Sequence, residues 1–168
     1  MSNYGIHRAW ADKFMPIVRK LIGYHLIIDA PKEEDEFHNT DLMTITQGSV
    51  RIGVRLRRFD QYEKFKDGFT IRSKRESGNK TELEKIIEGW GDYFFYGFVN
   101  KEETSFIDWY LLDLKVFRSI LSRWYKNGKK LNEIPMNGEA AFLGLKLSDF
   151  PDTLIVGRKN EIKIEKAS

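Results

Sequence analysis

The chain has 168 residues, of which 41% are hydrophobic and 14% aromatic, and it contains no cysteine. A chain of this length usually folds as one domain, and its apolar content excludes disordered and fibrous proteins. The lack of cysteine excludes disulfides, thiolate zinc sites and cysteine nucleophiles, and a net charge of +3 is too small to identify a partner by itself.

The N-terminal part of the chain predicts a helix, a short strand and a hairpin. Apolar residues recur every three or four positions over residues 6–22, which predicts an amphipathic helix that Pro16 kinks or divides. A short strand is predicted over residues 25–28. Two further strands, over 41–46 and 50–58, flank a turn that contains glycine, so we expect a β-hairpin there.

The middle of the chain predicts a strand, a capped helix and a buried strand. The strand covers residues 69–74. Thr81 followed by Glu84 is the pattern of a capping box, so a short helix is expected over 82–88. The nearly continuous aromatic run over 93–98 is typical of a strand that is covered on both faces, near the middle of a sheet.

The C-terminal part predicts the longest helix and two short strands. Apolar residues with helical spacing predict a helix over 106–126, capped by Thr104 or Ser105. Beyond it, residues 140–147 and 153–156 have the pattern of short strands.

The order of these elements indicates an α/β (α+β) fold with a mixed central β-sheet and flanking helices. We expect one α/β domain over residues 1–157, followed by a polar C-terminal tail over 158–168. Charged side chains are spread through residues 1–23, and no apolar run reaches the roughly 18 residues that a membrane helix needs. We therefore expect a cytoplasmic protein that has no membrane partner.

Basic residues are concentrated in the middle of the chain. Residues 42–80 contain ten Lys and Arg against four Asp and Glu, a surplus of six positive charges. Because side chains alternate across a strand, Arg55 and Arg57 share one face of the hairpin's second strand. In the same way, Arg72 and Lys74 share one face of the following strand. If the two strands are neighbours, these side chains form a basic stripe.

A basic stripe predicts a nucleic-acid interface in which phosphates contact Arg55, Arg57, Arg72 and Lys74. The alternative is structural, because antiparallel sheets commonly expose one polar face, where Lys and Arg prevent association with other strands. Both interpretations fit the residue pattern.

Acidic residues precede the hairpin, at positions 33–36 and at Asp41. Mg²⁺ prefers carboxylate oxygens, and an acid at the start of a strand holds a metal better than an acid in a mobile loop. Asp41 is therefore the candidate metal ligand. The alternative is that Asp41 forms a turn and that the acidic run is a solvated loop.

The order of a first helix, a strand, a hairpin opened by Asp41, a capped helix and an apolar strand resembles the common core of the PD-(D/E)XK nuclease-like superfamily. The resemblance covers residues 6–98 and implies a restriction-endonuclease-like core that uses Mg²⁺. Four short segments are also similar to uncharacterised phage and prophage proteins, namely residues 41–43, 54–58, 69–72 and 89–93.

In that superfamily, an Asp that opens the second core strand and an acid two residues before a Lys on the third strand bind Mg²⁺, and the Lys orients the attacking water. By this resemblance, Asp41 is the first acid and Arg55 stands at the position of the Lys. Gly53 stands at the position of the second acid, so Glu82 or Glu84 on the following helix would replace it. An Arg stays charged and clamps a phosphate more readily than it transfers a proton.

Three functions are therefore alternatives. The leading hypothesis is a nucleic-acid-binding protein, phage-encoded by resemblance, whose phosphodiesterase site of Asp41, Glu82 and Arg55 is degenerate or altered. The second is an active Mg²⁺-dependent DNA nuclease. The third is a phage-encoded protein-interaction module whose basic face contacts an acidic protein partner.

Overall fold

The computed structural model describes residues 3–23, 27–31, 42–45, 49–75, 78–136 and 140–159. Within these ranges the chain has a mixed α/β architecture, as the order of elements predicts. The strands are β1 (Ile27–Asp29), β2 (Leu42–Ile45), β3 (Ser49–Arg57), β4 (Gly68–Lys74), β5 (Tyr93–Val99), β6 (Phe106–Asp113), β7 (Glu133–Pro135), β8 (Ala141–Lys146) and β9 (Ile155–Arg158). The helices are α1 (Asn3–Asp12), α2 (Met15–Ile22), α3 (Tyr62–Phe65), α4 (Glu82–Ile87) and α5 (Leu114–Lys126).

The strands form two sheets. The large sheet has the strand order β1-β2-β3-β5-β6-β9, and the small sheet has the order β4-β8-β7. The predicted hairpin is confirmed, because β2 pairs antiparallel with β3 and places Leu42 opposite Ile52. Strand β3 runs parallel to β5, which is antiparallel to β6, so the large sheet is mixed. The aromatic strand β5 lies between β3 and β6 and is buried, as predicted.

Hydrophobic side chains pack on both faces of the large sheet. On one face, Phe14, which precedes α2, and Val18 of α2 pack with Ile52 of β3 and Phe95 of β5. On the other face, the small sheet and α5 pack against β5 through a second cluster of buried residues, which includes Phe69, Ile71, Tyr96, Phe98 and Phe117. The large sheet is therefore the middle layer of the structure.

Two local predictions are confirmed by the structure, and a third is shifted along the chain. The N-terminal helix is divided into α1 and α2, and Pro16 lies in the first turn of α2, where a missing backbone N–H costs no hydrogen bond. The capping box of Thr81 and Glu84 is present and begins α4. Strand β9 begins two residues later than predicted. Asp41 and residues 160–168 of the predicted tail lie outside the described residues.

The predicted helix over 106–126 is wrong in its first third. These residues form β6, which pairs with both β5 and β9, and α5 begins only at Leu114. The segment is apolar at so many positions that both a helical and a strand period fit it. Phe106, Tyr110 and Leu112 are buried and separated by even numbers of residues, which is the period of a strand.

The carboxylate of Asp113 caps α5, in place of the two residues predicted for this role. Its Oδ1 accepts hydrogen bonds from the backbone nitrogens of Lys115 (2.7 Å) and Val116 (3.1 Å). Asp113→Ala is expected to lower the free energy of unfolding by about 1 kcal/mol, because these donors lose their acceptor. Urea denaturation measures the change. Ser119→Ala, at an exposed position of α5, is the control, and equal stability of both variants would contradict the capping role.

The two basic strands are not neighbours in one sheet, so the condition for a continuous basic stripe is not met. Strand β3 belongs to the large sheet, whereas β4 pairs with β8 in the small sheet. Thr70, which the alternation places on the polar face of β4, is buried, and its hydroxyl lies 3.2 Å from the hydroxyl of Tyr96. The first half of β4 is covered on both faces.

Candidate functional site

The three predicted phosphate-binding arginines contact one aromatic ring, although they come from two sheets. The Cζ atoms of Arg55, Arg57 and Arg72 lie 5.3, 5.1 and 5.2 Å from the ring centroid of Phe142. Since all three Cζ atoms lie within 5.3 Å of the same ring centroid, the three guanidinium groups are close neighbours. Arg72 of β4 and Phe142 of β8 are cross-strand partners, which explains this contact.

A fourth arginine belongs to the same group. Arg75 follows β4, and its positive charge acts on Arg72. All four side chains are half-buried. We call the set of Arg55, Arg57, Arg72 and Arg75 the arginine cluster.

Arg55 of the cluster pairs with Glu82. Both carboxylate oxygens of Glu82 accept hydrogen bonds from the Nη2 atom of Arg55 at 2.7 Å, and one of them also accepts from the backbone nitrogen of Arg72 at 3.0 Å. The Glu82 side chain is 4% exposed and that of Arg55 is 18% exposed. Glu82 is the first residue of α4, so the capping box of Thr81 and Glu84 fixes the position of this buried acid.

Arg57 bonds to neutral groups and connects the two sheets. Its Nε donates a hydrogen bond to the hydroxyl of Tyr96 on β5 at 3.0 Å, and its Nη2 donates to the hydroxyl of Thr70 on β4. Tyr96 and Thr70 are both buried. Because hydroxyl groups carry no charge, these bonds orient the Arg57 guanidinium without neutralising it.

Arg72 and Arg75 have the least compensated charges in the cluster. The Nε atoms of both side chains are buried and have no hydrogen-bond partner among the described residues. Burial lowers the pKa of Arg72, and the nearby charges of Arg55 and Arg75 lower it further, while Glu82 opposes them. Both desolvation and repulsion by the neighbouring arginines therefore disfavour the positive charge of Arg72 in the folded protein.

The cluster as a whole carries excess positive charge. Four arginines against Glu82 give a formal charge of +3 for these five described residues. Among the described residues, no carboxylate bonds to the guanidinium of Arg57, Arg72 or Arg75. Arginine keeps its proton in proteins, so the fold cannot relieve this repulsion by deprotonation. A bound anion would relieve it.

Lys74, the fourth predicted phosphate-binding residue, has a different environment. Its Nζ lies 2.7 Å from a carboxylate oxygen of Glu133 on β7, and the Lys74 side chain is 58% exposed. Hydrogen bonds from Lys74 and Ser73 lower the pKa of Glu133. The charge of Lys74 is thus compensated at the surface, unlike the charges of Arg57 and Arg72.

An open groove lies beside the cluster. Its volume is about 600 Å³, and Arg75 links it to the cluster. The lining residues are Ser73, Lys74, Arg75, Gly78, Asn79, Thr81 and Glu84. Polar side chains dominate this lining, so the groove suits a polar ligand.

The structure brings together two of the three predicted catalytic residues, Arg55 and Glu82. Asp41, the predicted metal ligand, lies outside the described residues, so the magnesium site stays a prediction. In the part of the chain that the structure describes, no three His, Asp or Glu side chains form a group that could hold a metal ion. A metal ion at Glu82 would have to compete with the Arg55 guanidinium for the carboxylate oxygens.

Sequence reasoning missed four residues of this site. Strand alternation places Thr70 on the polar face of β4, the aromatic run places Tyr96 in a buried strand, and the sequence pattern gives Phe142 and Arg75 no role of their own. A cross-strand pair such as Arg72 and Phe142 depends on strand pairing between distant segments, so no local pattern reports it. Arg75 is the exception, because its place directly after a basic strand is visible in the sequence.

Comparison with known proteins adds no functional residue. No protein-family model matches the chain, and no curated protein sequence matches it either. None of the helices in the described ranges is both long and apolar enough to cross a lipid bilayer. The candidate function therefore depends on the arginine cluster.

Proposed function

We propose that this protein binds nucleic acid and that the arginine cluster holds a phosphate of the bound strand. The observation that carries the proposal is the convergence of Arg57, Arg72 and Arg75 without a carboxylate partner among the described residues. Like charges brought together at a half-buried position cost free energy of folding, and such locally unfavourable arrangements are expected at functional sites.

Phosphate chemistry fits the donors of this site. A guanidinium offers planar N–H groups that match two phosphate oxygens, and bonds between charged partners are stronger than neutral ones. The partner is therefore expected to be an oxyanion.

The structural alternative, a solvated polar face on a sheet, explains the cluster less well. Cations that serve only as guards against strand association are fully hydrated and spread along an exposed strand. Here the side chains of Arg55 and Arg57 extend from the large sheet, and the side chain of Arg72 extends from the small sheet. All three contact Phe142. Their arrangement concentrates charge at one place, as an anion site requires.

One observation bears on the second candidate, a magnesium-dependent nuclease, because Arg55 and Glu82 lie at one site, although Mg²⁺ would have to displace the Arg55 guanidinium from the Glu82 carboxylate. Cleavage of DNA with Mg²⁺ that is lost in Asp41→Asn would support this candidate. No contact or surface in the described ranges specifically favours the protein-interaction module.

Arg72→Gln is expected to weaken nucleic-acid binding about tenfold, because one charge-assisted contact to phosphate is lost. The slope of the logarithm of affinity against the logarithm of salt concentration should fall by about one unit. Fluorescence anisotropy with a mixed-sequence oligonucleotide at several salt concentrations measures both quantities. The control is Arg123→Gln, which makes the same charge change at an exposed position of α5.

Thermal unfolding of both variants separates lost binding from lost folding. Since burial and neighbouring charges lower the pKa of Arg72, its charged form is disfavoured in the folded state. Arg72→Gln should therefore unfold at the same temperature as the parent protein or at a higher one. If Arg72→Gln and Arg123→Gln bind the oligonucleotide equally well, the cluster does not hold the phosphate and the proposal fails.

A further inference from the structure

We infer that the arginine cluster recognises the terminal phosphate of a nucleic-acid strand, a phosphomonoester, in preference to an internal phosphodiester. This inference rests on the proposed function and names the part of the nucleic acid that the site holds. Three features of the described residues support it, which are the distribution of uncompensated charge, the shape of the site and its total charge.

Within residues 42–80, the cations without a carboxylate partner are mostly those of the arginine cluster. Half of the ten basic residues over 42–80 pair with a carboxylate, in the pairs Arg55–Glu82, Arg58–Glu103, Lys66–Glu63, Lys74–Glu133 and Lys80–Glu88. Three of the other five are the cluster residues Arg57, Arg72 and Arg75. A protein that follows an internal strand needs a series of available cations spaced along the backbone. The charge distribution fits a single phosphate better.

The inner side of the site is closed by buried groups. The Phe142 ring is 7% exposed, and the hydroxyls that hold Arg57 belong to the buried residues Thr70 and Tyr96. An internal phosphodiester carries a sugar on each side, so both flanking nucleotides would have to fit on the outer side of the cluster. A terminal phosphate needs only one opening, and Arg75 links the cluster to the open groove.

The charge of the site matches a terminal phosphate. A phosphomonoester carries about −1.5 to −2 charges at neutral pH and has three strong acceptor oxygens. A phosphodiester carries one negative charge and presents two non-bridging oxygens. With a formal charge of +3 over its four arginines and Glu82, the site compensates the monoester more completely and can donate to all of its terminal oxygens.

The test compares one oligonucleotide in three forms, which carry a 5′-phosphate, a 3′-phosphate or two hydroxyl ends. The fluorescent label lies within the strand, and fluorescence anisotropy gives the affinity for the parent protein, Arg72→Gln and Arg123→Gln. We expect one phosphorylated form to bind roughly tenfold more tightly than the hydroxyl form. This preference should disappear in Arg72→Gln and persist in Arg123→Gln.

The outcomes distinguish the inference from the proposed function. If the parent protein binds all three forms equally and Arg72→Gln weakens each of them, the inference fails and nucleic-acid binding at the cluster stands. If no form is bound more weakly by Arg72→Gln than by Arg123→Gln, both fail. A phosphoserine peptide serves as competitor. If it displaces the phosphorylated strand at equal concentration, the site recognises phosphomonoesters without regard to nucleic acid, which also overturns the inference.

Discussion

Arg55→Ala is expected to lower the free energy of unfolding by about 3–5 kcal/mol, because it removes the guanidinium to which both oxygens of Glu82 bond. Glu82 is 4% exposed, so its carboxylate cannot recover the lost interaction by hydration. The bond from the backbone nitrogen of Arg72 to Glu82 brings no full positive charge, so it does not replace the guanidinium. Urea denaturation followed by circular dichroism measures the loss.

Two control proteins give this prediction a sharp test. Lys80→Ala breaks an exposed ion pair with Glu88 and should cost less than about 1 kcal/mol. The double variant Arg55→Met with Glu82→Leu removes both charges and should recover most of the stability that Arg55→Ala loses. If Arg55→Ala and Lys80→Ala are equally stable, the Arg55–Glu82 pair does not have the buried character described here.

Arg55 is a poor position at which to test nucleic-acid binding. Loss of nucleic-acid binding in Arg55→Ala would report unfolding as well as a lost phosphate contact. Arg72 is a better probe, because its guanidinium bonds to no carboxylate of the described residues. The two arginines contact the same ring, yet only the Arg55 variant is expected to lose stability.

Phe142→Ala is expected to lower the free energy of unfolding by about 3–5 kcal/mol, since the change leaves a cavity where a buried ring packed. It also removes the surface on which the guanidinium groups of Arg55, Arg57 and Arg72 lie. Phe142→Leu keeps most of the apolar volume and should cost less, about 1–2 kcal/mol. Thermal and urea unfolding of both variants measure this difference.

The leucine variant also tests whether the ring positions the cluster. Phe142→Leu is expected to bind the oligonucleotide several-fold more weakly than the parent, because the guanidinium groups lose their attraction to the ring face. Phe150→Leu is the matched control, since Phe150 is buried to a similar extent, 8% against 7%, and contacts Phe69, Phe117 and Trp124. If both leucine variants bind equally, the Phe142 ring plays no part in binding.

Predictions based on neighbouring residues were reliable for this chain. Thr81 and Glu84 form the predicted capping box, because each bonds to the backbone of the other within one turn. Pro16 divides the N-terminal helix as its missing N–H requires. The hairpin of β2 and β3 follows from alternating residues on either side of a short turn. The hydrogen bonds and backbone constraints behind these three features act between residues that are close in the sequence, so the sequence pattern predicts them.

Segment 106–113 marks the limit of local prediction. Its apolar residues fit both a helix and a strand, and hydrogen bonds to β5 and β9 stabilise the strand. The position of the helix cap depends on the same choice, because Asp113 becomes the cap only when the preceding residues are a strand. Where two local periods compete, a partner elsewhere in the chain decides.

The amino-acid sequence by itself determined the basic surplus over residues 42–80, the capped helix α4 and the mixed α/β class, since composition, alternation and short-range hydrogen bonds carry these properties. Only the tertiary structure decided which charges are compensated. It placed Glu82 against Arg55 and Glu133 against Lys74, and it gathered Arg57 and Arg72 on Phe142. The reason is physical, because burial and contact between distant segments set the electrostatic environment of a side chain, and neither is encoded in its immediate neighbours.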